Sequence, residues 1–127
     1  MANLGALEMA VMEQVWGHGP ADVKAVHRSI SARRPITANT VQSTMERLYR
    51  KGVLAREKVS HAYVYSAARS REEVTAAVVS EVVGKLARGE TDAMLAAFVD
   101  VAERTGDKTL ARLEKLIAER RSAKRIK

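Results

Sequence analysis

The chain has 127 residues, 46% hydrophobic and 4% aromatic, with a formal net charge of +7 and no cysteine. That length fits one compact unit or two small subdomains, and with no run of about 18 apolar residues nothing in it spans a membrane. The missing cysteines exclude disulfides and thiolate metal sites and fit the cytoplasm, while the opening MANLGALEMA lacks the basic start and apolar core of a secretory signal.

The charge is uneven along the chain. Residues 1–70 hold ten Lys/Arg against five Asp/Glu, residues 71–119 hold seven against ten, and the last eight, RRSAKRIK, add five positive charges. A basic head, a mildly acidic middle and a basic tail point to a polyanion partner for the head.

A first helix is expected from Leu4 to Trp16, where Leu7, Val11, Met12, Val15 and Trp16 recur at helical spacing before Gly17-His18-Gly19-Pro20. Trp16 is read as core. Asp22 is placed to cap a second helix with Val23, Val26 and Ile30 inward, and His27 reads as a packed, hydrogen-bonded neighbour rather than a metal ligand. Pro35 disfavours helical geometry at Arg34, so the turn SARRPI separates the second helix from a third. Thr37 is a credible N-cap for that third helix and Gly52 a credible left-handed C′ residue.

Within the third helix Val41, Met45 and Leu48 share one face, at i, i+4 and i+7. The other face carries Asn39, Gln42, Ser43, Glu46, Arg47 and Arg50. Short amides and hydroxyls come first and arginines later, the order expected where the N-terminal half reads base edges and the C-terminal half meets phosphates. Two strands follow, Leu54–Val59 and Ala62–Ser66, with Tyr63 and Tyr65 on one face and an unassigned turn between them. A helix followed by such a ribbon is the layout of a winged helix-turn-helix. Asn39, Thr40, Gln42 and Ser43 are the base-edge candidates. Thr37, Arg47, Arg50, Lys51, Arg56, Lys58 and His61 are the phosphate candidates. Glu46 could accept from a cytosine amine, but pairing with Arg50 at i+4 is the better reading.

Residues 1–69 therefore read as the winged domain and 70–127 as a helical dimerisation domain with a basic tail. Ser70-Arg71-Glu72-Glu73 is a capping box. The helix it opens carries Val74, Val78, Val79, Val82, Val83 and Leu86 and ends at Gly89. A further helix spans about Thr91–Glu103, and Asp107 caps the last, with Leu110, Leu113, Leu116 and Ile117 in a stripe. Such helices expose more apolar surface than they can cover alone, and an isolated subdomain of this size is marginal. Pairing with a second copy through Val78, Val82, Leu86, Leu95, Phe98, Leu113 and Ile117 would bury those stripes.

The chain resembles the penicillinase-repressor family, the BlaI/MecI type of winged-helix regulators. The resemblance runs through LEMAVMEQVW, VKAVHRSIS and TVQSTMERLYRKGVL, then HAYVYS in the wing and LARLEKLI near the end. It implies a homodimer binding palindromic operators. It also implies a membrane-bound sensor-protease that cuts an Asn-Phe bond in the dimerisation region. Phe98 stands at the family phenylalanine, but Ala97 replaces the asparagine. Copper-responsive relatives use a C-terminal cysteine motif, which is absent here.

The leading function is thus a sequence-specific repressor acting on double-stranded DNA, and the alternative is a winged helix used for protein contact. Few aromatics argue against single-strand or RNA stacking. Enzyme chemistry lacks support, because the three histidines fall in different elements and no phosphate loop or nucleophile–base pair is spaced for it. No cofactor is expected.

Overall fold

The computed structural model describes residues 4–86 and 89–126. The elements run α1 (Ala6–His18), α2 (Val23–Ser31), α3 (Ala38–Arg50), β1 (Leu54–Val59), β2 (Ala62–Ala67), α4 (Arg71–Leu86), α5 (Thr91–Thr105) and α6 (Asp107–Ile126). They divide into two compact units, Met1–Val82 and Val83–Lys127. Helix α1 starts and stops two residues later than its apolar pattern suggests. The Glu8 carboxylate reaches back 3.0 Å to the Gly5 N–H and fixes the start there.

In the first unit α1, α2 and α3 meet over Met12, Val15, Val26, Val41, Met45 and Leu48, all buried, and Val53, Leu54, Tyr65 and Val74 close the core. Each such side chain contributes about 1.5–3 kcal/mol by leaving water. Thr44 is buried among them although its residue type reads as polar. Its hydroxyl donates to the Thr40 carbonyl at 2.8 Å, so no polar group is stranded. Trp16 differs from expectation: it is half-buried at the edge of the core, where its indole N–H donates to the Arg69 carbonyl at 2.9 Å. That hydrogen bond explains the edge position, since an indole sunk fully into this core would lose its acceptor.

Caps define the helices that carry the site. Asp22 accepts from the Ala25 amide at 2.9 Å, and Thr37 accepts from the Thr40 amide at 3.2 Å. At the other end of α3, Gly52 takes φ 79°, the Val53 amide donates to the Leu48 carbonyl and the Gly52 amide to the Tyr49 carbonyl, both at 3.0 Å. This is a Schellman close, and it turns the chain directly into β1. His27 Nε2 donates to the Ile36 carbonyl at 2.8 Å, pinning the turn between α2 and α3.

β1 and β2 pair antiparallel from Leu54↔Ala67 to Val59↔Ala62, leaving Ser60-His61 as a two-residue turn with Ser60 at φ 62°. The strand ends at Ala67, one residue beyond the expected span. Ala21 adds a third, one-residue rung: its amide and carbonyl exchange hydrogen bonds of 2.9 and 2.8 Å with Tyr65. The ribbon is thereby stitched to the start of α2.

The capping box at the start of α4 forms in both directions, Glu73 accepting from the Ser70 amide and the Ser70 hydroxyl from the Glu73 amide. Packing of the first unit continues past the expected boundary at 69/70, because Val74 is buried in the core and Val78 lies against it. Val82 is exposed.

In the second unit α5 and α6 lie against each other, with Ala102 buried between them. Leu95, Phe98, Val99, Val101, Leu116 and Ile117 remain largely exposed. Helix α6 runs on through the basic residues near its end. Segment RRSAKRI contains no Gly or Pro, and its cations favour the negative helix end. Among the described residues no helix is long and apolar enough to cross a membrane.

Candidate nucleic-acid interface

The face of α3 opposite its buried stripe is open. Asn39, Thr40, Gln42 and Ser43 are exposed there, as are Thr37 at its start and Arg47 and Arg50 further along. The helix can present short polar groups outward because Val41, Thr44, Met45 and Leu48 take the whole inward face. Thr40 is partly engaged, its hydroxyl lying 2.8 Å from that of Thr37. Among the described residues the Asn39, Gln42 and Ser43 side chains carry no hydrogen bond, so their donors and acceptors face solvent.

A cleft of about 530 Å³ lies beside Gln42. It separates the start of α2 from α3 and the hairpin, and Asp22, Lys24, Gln42, His61, Tyr63 and Tyr65 line it. Lys58 and His61 stand exposed at the hairpin tip. Lys24 and Tyr63 belong to this concave surface although the sequence reading left them out. Lys24 sits in the first turn after the Asp22 cap, and only the Ala21–Tyr65 rung, which leaves no sequence signal, brings that turn to the hairpin.

The remaining cations of the candidate set are engaged within the fold. The Lys51 ammonium lies 2.8 Å from the Glu8 carboxylate, tying the end of α3 to the start of α1. Burial works to raise the Glu8 pKa, but the Gly5 amide, the Lys51 ammonium and Arg47 more than offset it, so the carboxyl sits below its ordinary value. Arg56 is folded inward against Glu46, Tyr49 and Tyr63. Glu46 also pairs with Arg50 at 3.4 Å, the i+4 partner expected from spacing. Arg47 reaches the Thr44 hydroxyl only at 3.4 Å.

The candidates for pairing are distributed unevenly. Val82, Leu86, Leu95, Phe98 and Ile117 are exposed, Leu113 is half-buried, and Val78 is half-buried against the first unit's own core. Ala97 and Phe98, the positions matching the cleavage region, are both exposed on α5. Among the described residues no group of three His, Asp or Glu side chains is placed to hold a metal ion.

Comparison with known proteins agrees with this geometry. The family described as "Penicillinase repressor" matches residues 4–119. "Transcriptional regulator BlaI" of Mycobacterium tuberculosis is 32% identical over 121 residues, spanning 94% of this chain and 86% of that protein. The solution structure of the DNA-binding domain of the repressor BlaI is similar at a TM-score of 0.52 and 24% identity, covering 56% of this chain and 87% of that one. The hsRosR-S4 complex structure is similar at 0.54 and 12% identity over 95% of this chain and 92% of that one. Likeness at those identities speaks for the fold, a mainly helical winged helix with a hairpin wing and C-terminal helices. The match across nearly the whole sequence speaks for more: the chain belongs to the penicillinase repressor family, whose members are winged-helix transcriptional regulators and not enzymes.

Proposed function

We propose that the chain is a homodimeric repressor that binds two-fold-symmetric operator DNA, with α3 of each protomer in a major groove. The observation that carries this reading is the outward face of α3, where Asn39, Thr40, Gln42 and Ser43 are exposed beside the hairpin. Amides pair bidentately with adenine and hydroxyls accept or donate to several edges. Thr37, Arg47, Arg50, Lys58 and His61 surround that face and suit phosphates, which fix register without reading sequence. A winged helix used for protein contact has no need of this acid-poor polar surface, and it would leave mixed duplex DNA unbound.

Dimerisation is supported by the apolar side chains that α4, α5 and α6 leave open, with Phe98 and Leu95 at 44% and 52% exposure. A two-fold pair covers such surface and sets two reading helices about one DNA turn apart, roughly 34 Å. Sedimentation with and without a palindromic duplex tests this. The intact chain should sediment as a dimer at micromolar concentration, and Phe98→Asp should yield a monomer that holds a palindrome far more weakly, because linked half-sites gain through effective concentration. A wild-type monomer at that concentration refutes the dimer.

Release by proteolysis near Ala97-Phe98 is a secondary reading, and it would bring in a membrane sensor-protease as partner. The exposure of Phe98 favours it, while Ala97 in place of the family asparagine does not. Proteases prefer exposed, irregular backbone, so α5 would have to open locally before cutting. Mass spectrometry of the chain from cells in which its target genes are derepressed decides it: a cut at 97/98 supports the reading, and an intact chain during derepression rejects it.

A further inference from the structure

We infer that Arg56 is a positioning residue for DNA reading: it locks the hairpin to α3 and neutralises Glu46, and it does so without touching phosphate. The inference rests on the DNA-binding reading above and assigns Arg56 a role within it.

Arg56 lies on β1 directly opposite Tyr65. Its guanidinium carbon sits 3.9 Å from the Tyr49 ring centroid and 4.1 Å from that of Tyr63. One of its nitrogens donates to the Glu46 carboxylate and reaches the Tyr65 hydroxyl at 3.5 Å. Two of these partners, Glu46 and Tyr49, stand one turn apart on α3, and the other two, Tyr63 and Tyr65, stand on β2. A single planar cation therefore holds the reading helix against the far strand of the wing. The side chain is 18% exposed, against 74% for Arg50, whose pair with Glu46 lies at the surface.

Turning Arg56 out to a phosphate would break both ring contacts and the ion pair at once. It would also release Glu46. That carboxylate lies on α3 one turn beyond Gln42 and next to Arg47 and Arg50, a third exposed. Held then only by its 3.4 Å pair with exposed Arg50, it would bring a less compensated negative charge toward the phosphate backbone, and the repulsion acts on every DNA sequence alike. Lysine cannot replace the clamp, because an ammonium neither stacks flat between two rings nor spans them while donating sideways.

The test uses the full-length protein and one operator duplex, with affinity measured against salt for wild type, Arg56→Met, Glu46→Gln and the double variant. Arg56→Met should weaken binding about tenfold, the scale of a lost charge-assisted hydrogen bond, with the salt slope unchanged. Adding Glu46→Gln should recover most of that loss, because no carboxylate stripped of its closer partner remains. Tyr63→Leu removes one wall of the stack and no charge, and it should weaken binding at constant slope too. A slope that falls by about 0.9 per protomer, about 1.8 for the dimer on its operator, in Arg56→Met is the mark of a direct phosphate contact and overturns the inference. So does a double variant whose loss is the sum of the single ones. In the free protein, NMR should find the Arg56 side-chain protons shifted upfield by the two rings, and the shift should shrink in Tyr63→Leu. If wild type bound no duplex, the DNA reading would fall while this signature still reported the clamp; absence of the signature would remove the clamp itself.

Discussion

Truncating Gln42 to Ala separates base reading from everything else the first unit does. The side chain is exposed on α3, makes no hydrogen bond within the described protein, and borders the cleft shared with Lys24, His61 and Tyr63. No buried group loses a partner, and alanine is at least as good a helix former, so stability should change by no more than about 0.5 kcal/mol. A bidentate amide–adenine pair is worth roughly 1–3 kcal/mol of discrimination, which corresponds to about 5- to 160-fold in relative affinity. That loss should appear at one base pair per half-site. Binding to unrelated duplex should barely change, since no phosphate-neutralising charge is removed. The assay is a competition series over all single-base operator variants, with wild type beside Gln42→Ala. An unchanged preference at every position would show that Gln42 reads nothing and would move the burden to Asn39 and Ser43.

Three other perturbations probe separate links of the argument. Arg50→Ala should weaken all DNA sequences similarly and flatten the dependence of log affinity on log salt by about 0.9 per protomer, about 1.8 for the dimer, as titrations across salt concentrations would show. Gly52→Ala meets open space around the new methyl group, so its cost is confined to a backbone held at φ 79°, about 1–2 kcal/mol by denaturant unfolding. Glu8, with its pKa depressed in the fold, adds stability that is complete above the unfolded carboxyl value. As pH falls the unfolded chain takes up its proton first, and the contribution disappears as pH passes through the lower folded pKa. Glu8→Gln should therefore cost most near neutrality and progressively less in acid, as read by unfolding at several pH values.

Local signals make much of the reading face visible in the sequence alone. The alternation of Val41, Met45 and Leu48 with amides and arginines fixes which side of α3 faces out, and the caps at Asp22, Thr37, Gly52 and Ser70 formed where their chemistry suggests. Long-range pairing was not visible in the same way. Lys51 meets Glu8 across 43 residues, and Arg56 is enclosed by groups from two elements, so both look like surface cations in a linear reading. Thr44 looked polar by type, yet one hydroxyl bond to its own helix lets it pass as core. The Ala21–Tyr65 rung was hidden because a single residue carries no alternation. Continuation of α6 through its basic residues reverses a compositional habit of reading charge runs as tails.

The central claim is that exposed α3 side chains of a paired chain read a symmetric DNA sequence. Selection from a random duplex library with the full-length protein, followed by measurement of protein bound per selected duplex, tests it most directly. The expected result is an enriched two-fold-symmetric motif, its half-sites about 10 base pairs or a multiple apart, carrying two chains. Recovery of duplexes with no common motif, or of single half-sites bound by one chain as tightly as the palindrome, would contradict it.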